Sequence, residues 1–133
     1  MSKTVSIETA EALRKAGFPQ PEPIIQTYVY FDGRLCLAEV FFDSGEYELS
    51  GPNIRRTSLL KTDFDVHCTF APTALDILEQ LTGAFLTKKS DGLWQCSIKI
   101  GEGRAIFNSN TCPHEACAKT WIEWVNRNNE PIF

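Results

Sequence analysis

Asp32-Gly33 constrains this chain more than any other pair of residues. An Asp-Gly pair between apolar runs is a strong hairpin signal, because the tight turn needs positive φ at both central positions and these residues tolerate it. Strands are expected over Ile24–Phe31 and Leu35–Phe42. The loop length then fixes the register: Phe31 opposite Arg34, Val29 opposite Cys36, Thr27 opposite Ala38 and Ile25 opposite Val40. One face of the hairpin is apolar throughout. The other carries Tyr28, Tyr30, Leu35, Leu37 and Phe41 beside Gln26 and Glu39. A hairpin with two largely apolar faces needs cover on both. A helix of the same chain would provide it, and so would a partner or a second copy, since exposed apolar patches of that size mark association. A turn at Asp43-Ser44-Gly45 leads to a third strand over Glu46–Ser50.

Before the hairpin, Ser6 to Ala16 reads as a short helix. Ser6 can accept from a free amide of the first turn. Glu8 and Glu11 sit towards the positive end of the helix dipole, Arg14 and Lys15 towards the negative end. Gly17 can end the helix in the left-handed region, with Phe18 folding back as its apolar clasp. Pro19, Pro21 and Pro23 then enforce an extended connector. After the third strand, Gly51-Pro52-Asn53 is a turn and Leu59-Leu60 a short strand. Asp63 to Phe70 alternates, with Phe64, Val66, Cys68 and Phe70 on one side, which predicts another strand.

Pro72 to Thr82 predicts a second helix. Thr73 is its N-cap and Asp76 completes a shortened capping box. Leu75, Leu78, Leu81, Ala74 and Ile77 share the apolar face. A meander follows over Phe85–Lys89, Leu93–Ile100 and Arg104–Asn108, turning at Ser90-Asp91-Gly92 and Gly101-Glu102-Gly103. Trp94, Cys96, Ile98 and Ile100 face inward. In the last strand a three-residue loop would turn Ile106 inward and a four-residue loop Ala105 and Phe107. The closing helix, Cys112 to Arg127, starts on Pro113, where a missing N–H costs nothing. At 100° per residue, Trp124, Cys117, Trp121, His114, Val125, Ala118 and Ile122 form one arc, with Glu115, Asn126, Lys119, Glu123 and Arg127 opposite.

Together these patterns predict a single α+β domain over residues 1–133, an antiparallel sheet with about three helices packed on it. Net charge is −4. Arg55-Arg56 and Lys88-Lys89 are isolated pairs rather than a basic stripe, which disfavours nucleic-acid binding. No apolar run approaches the ~20 residues of a membrane span. Met1-Ser2-Lys3-Thr4 lacks the apolar core of a signal peptide. The five cysteines, at irregular spacings, then read as reduced thiols of a cytoplasmic protein.

Cys112, His114 and Cys117, with His67-Cys68 elsewhere, are the one constellation that could carry chemistry. Zinc takes four thiolate or imidazole ligands. The spacing Cys-x-His-x-x-Cys lacks the paired short intervals of a zinc knuckle, so no metal is expected. A thiol at a helix N-terminus can be acidified, which makes Cys112 a weak candidate nucleophile with His67 or His114 as base. The plainer expectation is a core Cys117, a packed His114 with one hydrogen bond, and Cys112 as a surface thiol at a helix cap. Asp63 and Asp65, and Glu46 and Glu48, read as solvated faces. Trp94, Trp121 and Trp124 read as core.

The block from Phe70 to Arg127 runs helix, three short strands, helix. It carries Trp94-Gln95-Cys96 in the central strand and Cys112-Pro113-His114-Glu115-Ala116-Cys117 at the opening of the last helix. It resembles the small phage- and prophage-associated proteins described as α/β/α "ABA sandwich" domains. Residues 6–18, Ser-Ile-Glu-Thr-Ala-Glu-Ala-Leu-Arg-Lys-Ala-Gly-Phe, with Ala71-Pro72-Thr73, resemble another group of small uncharacterised proteins of phages and mobile elements. The resemblance implies an intracellular accessory protein of a mobile element and transfers no catalytic residue. The expectation is a non-enzymatic interaction protein without a cofactor. It would bind a protein partner or form a homodimer through Tyr28, Tyr30, Leu35 and Leu37. The alternative is a small enzyme or metal-binding protein built on Cys112, His114 and His67.

Overall fold

A computed structural model describes residues 2–23, 25–41, 44–52 and 54–128. The protein is α+β, with four helices and two antiparallel sheets of five and three strands. Its contacts divide it into two compact units, Ala10–Ala71 and Met1–Thr9 with Pro72–Phe133.

Helix α1, Ile7–Lys15, has its first residues in one unit and the rest in the other. Ser6 caps it, its hydroxyl accepting from the Thr9 N–H at 3.3 Å. At the other end the Phe18 N–H donates to the Leu13 carbonyl and the Gly17 N–H to that of Arg14. Gly17 sits at φ 94°. This is a Schellman closure, with Phe18 folded back and buried as its clasp.

In the first unit, β1 (Thr27–Phe31) and β2 (Arg34–Phe41) form the expected hairpin. Asp32 at φ 52° and Gly33 at φ 74° make its turn. The pairs Phe31–Arg34, Val29–Cys36 and Thr27–Ala38 stand in the register that the loop length dictates. The fourth expected pair does not form. Ile25 lies outside the strand and is 77 % exposed, and the Val40 N–H donates to the Pro23 carbonyl instead. Ile24, Phe42, Asp43 and Asn53, on which parts of the expected strands and turns fall, lie outside the described residues. β3 (Glu46–Ser50) and β4 (Thr57–Leu59) extend the sheet on one side and β5 (Cys68–Phe70) on the other, in the order β4-β3-β2-β1-β5.

The strand expected over Asp63–Phe70 is mostly helix. Helix α2 spans Lys61–His67 and only the last three residues of that stretch are extended. Phe64 turns inward and stacks on Tyr47, ring centroids 4.6 Å apart, whereas Val66 is 70 % exposed. Phe64 joins Val29, Cys36, Ala38, Tyr47, Leu49 and Cys68 in this unit's core.

In the second unit, helix α3 spans Ala74–Glu79. It is shorter than expected, but its capping box forms: Thr73 accepts from the Asp76 N–H, and Asp76 from that of Thr73. Ala74, Ile77 and Leu81 are buried; Leu75, expected on the same face, is 68 % exposed. The meander is β6 (Phe85–Lys88), β7 (Trp94–Gly101) and β8 (Arg104–Asn110). A two-residue turn at Glu102-Gly103 and a bulge between Lys99 and Gly101 pair Ile98 with Ile106 and turn Ile106 inward. Helix α4, Pro113–Asn128, covers the Cys96–Ile98–Ile106 side of that sheet. Its buried stripe runs through Pro113, Ala116, Cys117, Ala118, Thr120 and Trp121, while Trp124, Val125 and Ile122 are only partly buried. The arc inferred from the sequence is therefore rotated towards Thr120. Among the described residues no helix is long and apolar enough to cross a membrane.

Candidate functional site

At the head of α4, Cys112, His114 and Glu115 all act on backbone or hydroxyl groups. The Cys112 carbonyl accepts from the Ala116 N–H, which makes Cys112 the N-cap. Its N–H donates to Asn110 Oδ1 at 2.9 Å. Its sulfur lies 3.4 Å from Ser2 Oγ. His114 uses both ring nitrogens. Nδ1 accepts from the Ala74 N–H at 2.7 Å, so the proton of the neutral ring sits on Nε2, 3.2 Å from the Ser2 carbonyl. His114 thus ties α4 to the first turn of α3 and to the N-terminal segment. It makes two hydrogen bonds where the sequence suggested one, and neither nitrogen is directed at the Cys112 thiol. Glu115 accepts from the Ser6 N–H at 2.9 Å and from Thr9 Oγ1 at 2.5 Å. A carboxylate there complements the positive end of α1 as well as that of its own helix.

His67 ends α2, in the other unit, and is exposed. Among the described residues no three His, Cys, Asp or Glu side chains are placed to hold a metal ion.

In the second unit a hydrogen bond sets the two buried thiols apart, and in the first unit burial governs. It pushes Cys36 up to about 11. It pushes Cys68 up to about 12, with the neighbouring Cys36 adding to the effect. Cys117 donates to Cys96; that bond first and burial second raise Cys117. Accepting it lowers Cys96. A thiol held protonated in an apolar interior is a poor nucleophile.

A cleft of about 300 Å3 in the first unit is lined by Arg14, Gln20, Pro21, Val29, Lys61, Phe64, Asp65, Cys68 and Phe70. The guanidinium of Arg14 donates to the carbonyls of Cys68 (2.7 Å) and Asp65 and to Thr69 Oγ1. It closes the carbonyl end of α2, where a cation is favoured. Gln20 bridges the Phe18 carbonyl and the Phe70 N–H. Lys61 lies between Asp65 at 3.3 Å and Glu22 at 3.7 Å, and its pKa is raised chiefly by Asp65. Tyr47 donates to Glu22 at 2.8 Å; burial first, then Glu22, raises its pKa. The polar groups of the cleft are matched to one another and to backbone, an arrangement that latches α1 and α2 to the sheet.

Two sheet faces carry large apolar side chains that are not fully buried. Tyr28, Tyr30, Leu35 and Leu37 do share one face of the first sheet, as the register demands, and each is partly buried. On the second sheet, the face away from α4 carries a row across all three strands, Phe85–Ser97–Phe107. Phe85 is 59 % exposed and Phe107 62 %, while Ser97 between them is buried. Thr87, Gln95, Lys99, Ala105 and Ser109 complete that face, so Lys99 is its one charge. Sequence reasoning saw Phe107 only through the open loop register. It missed Arg14, Glu115 and Thr120 as structural bonds, because each joins segments far apart in the chain.

The fold defines an α+β protein of two antiparallel sheets and four helices, and the geometry among the described residues assigns no reaction. The chain matches no protein-family model, no curated protein and no solved structure.

Proposed function

We propose that this protein is a non-enzymatic accessory protein, as the resemblance to small phage proteins would imply, and that it works by protein contact and assembles with itself. The observation that carries this reading is the open face of the second sheet. Two phenylalanines stand more than half exposed there, while the opposite face of the same sheet lies under α4. Apolar side chains so placed favour association, because contact removes their area from water at about 25 cal/mol per Å2. A second copy is a suitable occupant, since a face with one lysine meets its own copy with little charge repulsion. The burial of Cys36, Cys68, Cys96 and Cys117 and the two hydrogen bonds of His114 agree with a role without chemistry. Light scattering over a concentration series tests it: the mass should rise from the 15.0 kDa of one chain towards twice that value. Substituting Phe85→Ser and Phe107→Ser together should abolish the rise with the far-ultraviolet spectrum unchanged. A chain that stays monomeric at all concentrations refutes the reading.

A further inference from the structure

We propose that β8 is the assembly edge: it pairs antiparallel with β8 of a second copy about a two-fold axis at Phe107, joining two three-stranded sheets into one of six. This rests on the self-association proposed above and names its geometry. β8 is an outer strand of its sheet, with β7 beside it and α4 over one face. It is seven residues long, whereas the other outer strands, β4, β5 and β6, have three, three and four. Exposed edges are normally blunted by brevity, by proline or by charge. From Ala105 to Asn110 the strand has neither proline nor charge.

Its register is self-complementary. Arg104 closes a two-residue turn opposite Gly101. At that position backbone groups face the hairpin partner, so by the alternation of a strand those of Ala105, Phe107 and Ser109 face outward. Centring the two-fold on Phe107 sets Phe107 opposite the partner's Phe107, and Ala105 opposite the partner's Ser109. Arg104 then meets the partner's Asn110, so no like charges oppose. Small residues flank the paired rings on both sides. The exposed row becomes continuous across the new sheet, from Phe85 through Ser97 and Phe107 to the same residues of the partner.

The test uses the full chain and two exposed positions that this register places opposite each other. Ala105→Lys with Ser109→Lys sets lysine against lysine twice; Ala105→Lys with Ser109→Glu sets lysine against glutamate twice. The two variants share the loss of small residues and differ only in cross-strand charge. The first should weaken dimerisation at least tenfold by sedimentation equilibrium at low salt, and the second should restore it. In the unsubstituted chain, the amides of Ala105, Phe107 and Ser109 should exchange more slowly as concentration rises. A dimer that forms but treats both variants alike overturns this geometry and leaves the self-association reading standing. A monomer at every concentration overturns both.

Discussion

Replacing Thr120 by valine removes one hydroxyl from a fully buried position while keeping its shape. The hydroxyl lies 3.0 Å from the Ala116 carbonyl and 3.2 Å from that of Cys96, and it accepts from Asn108 Nδ2 at 3.2 Å. It has a single proton, shared between the two carbonyls, so valine forfeits one donated and one accepted bond. Each is worth about 1 kcal/mol net when buried. Asn108 keeps its second acceptor, Glu123 Oε2, at 3.2 Å. The added methyl returns a few tenths of a kcal/mol through burial, at about 0.8 kcal/mol for a full methylene. The balance is a loss of about 1–2 kcal/mol. With a slope of about 1–3 kcal/mol per molar urea, the midpoint should fall by on the order of 0.3–2 M. Fluorescence of the adjacent, buried Trp121 reports the transition. Thr120→Ser, which keeps the hydroxyl and loses a methyl, should cost about 1 kcal/mol. A double-mutant cycle with Asn108→Ala should show coupling of about 1 kcal/mol. A neutral or stabilising Thr120→Val would mean that the hydroxyl contributes nothing and that packing alone seats α4 on the sheet.

Two further predictions concern groups whose bonding departs from what the sequence suggests. His114→Ala should strand the Ala74 N–H and destabilise by about 2 kcal/mol, with faster exchange of that amide. His114→Asn, whose Oδ1 can take the place of Nδ1, should recover part of the loss; equal stability of the two variants would contradict the capping role. Alkaline pH should destabilise the first unit. Cys36 and Cys68 are raised to about 11 and about 12 in the folded state, so between the ordinary thiol pKa of 9.0 and those values the unfolded chain ionises first. Stability is therefore fully present below pH 9 and falls as pH rises to 11. The loss is roughly 2–3 kcal/mol for Cys36 alone, at 1.36 kcal/mol per unit. In urea melts at pH 8 and pH 10.5, Cys36→Ala should flatten the slope, and an unchanged slope would rule the thiol out.

The hairpin was legible because its determinants are local. Asp32-Gly33 sets the turn, and the turn sets three cross-strand pairs. Caps were legible for the same reason: Ser6, Gly17, Thr73 with Asp76, and Pro113 act within a turn of their own helices. The stretch 63–70 misled because Phe64 and Cys68, its two buried residues, are four apart. A spacing of four places two residues on one face of a helix and equally on one face of a strand. Val66 between them is what separates the cases, and its exposure emerges only from the tertiary packing of Phe64 on Tyr47. The turn after β7 was ambiguous because a bulge absorbs one residue. Thr120 escaped notice because a lone hydroxyl inside an apolar arc carries no pattern; its acceptors lie on β7 and in the preceding turn of α4.

Several polar side chains have a common use. An α-helix leaves four N–H and four C=O groups without internal partners, whatever its length. In α2 and α3, of seven and six residues, nearly every turn is an end. Such helices hold only where other segments supply the missing partners. Arg14 does so for the carbonyl end of α2, and His114 and the Thr73–Asp76 box for the amide end of α3. Glu115 serves the first turn of α1. A guanidinium, an imidazole and two carboxylates are thereby fixed in structural bonds. The thiols of Cys36, Cys68, Cys96 and Cys117 are enclosed in the cores. The second unit also leaves two phenyl rings exposed on one face of its sheet, one of them on the long outer strand β8. A strand edge flanked by such rings suits contact with another strand, the assembly proposed above.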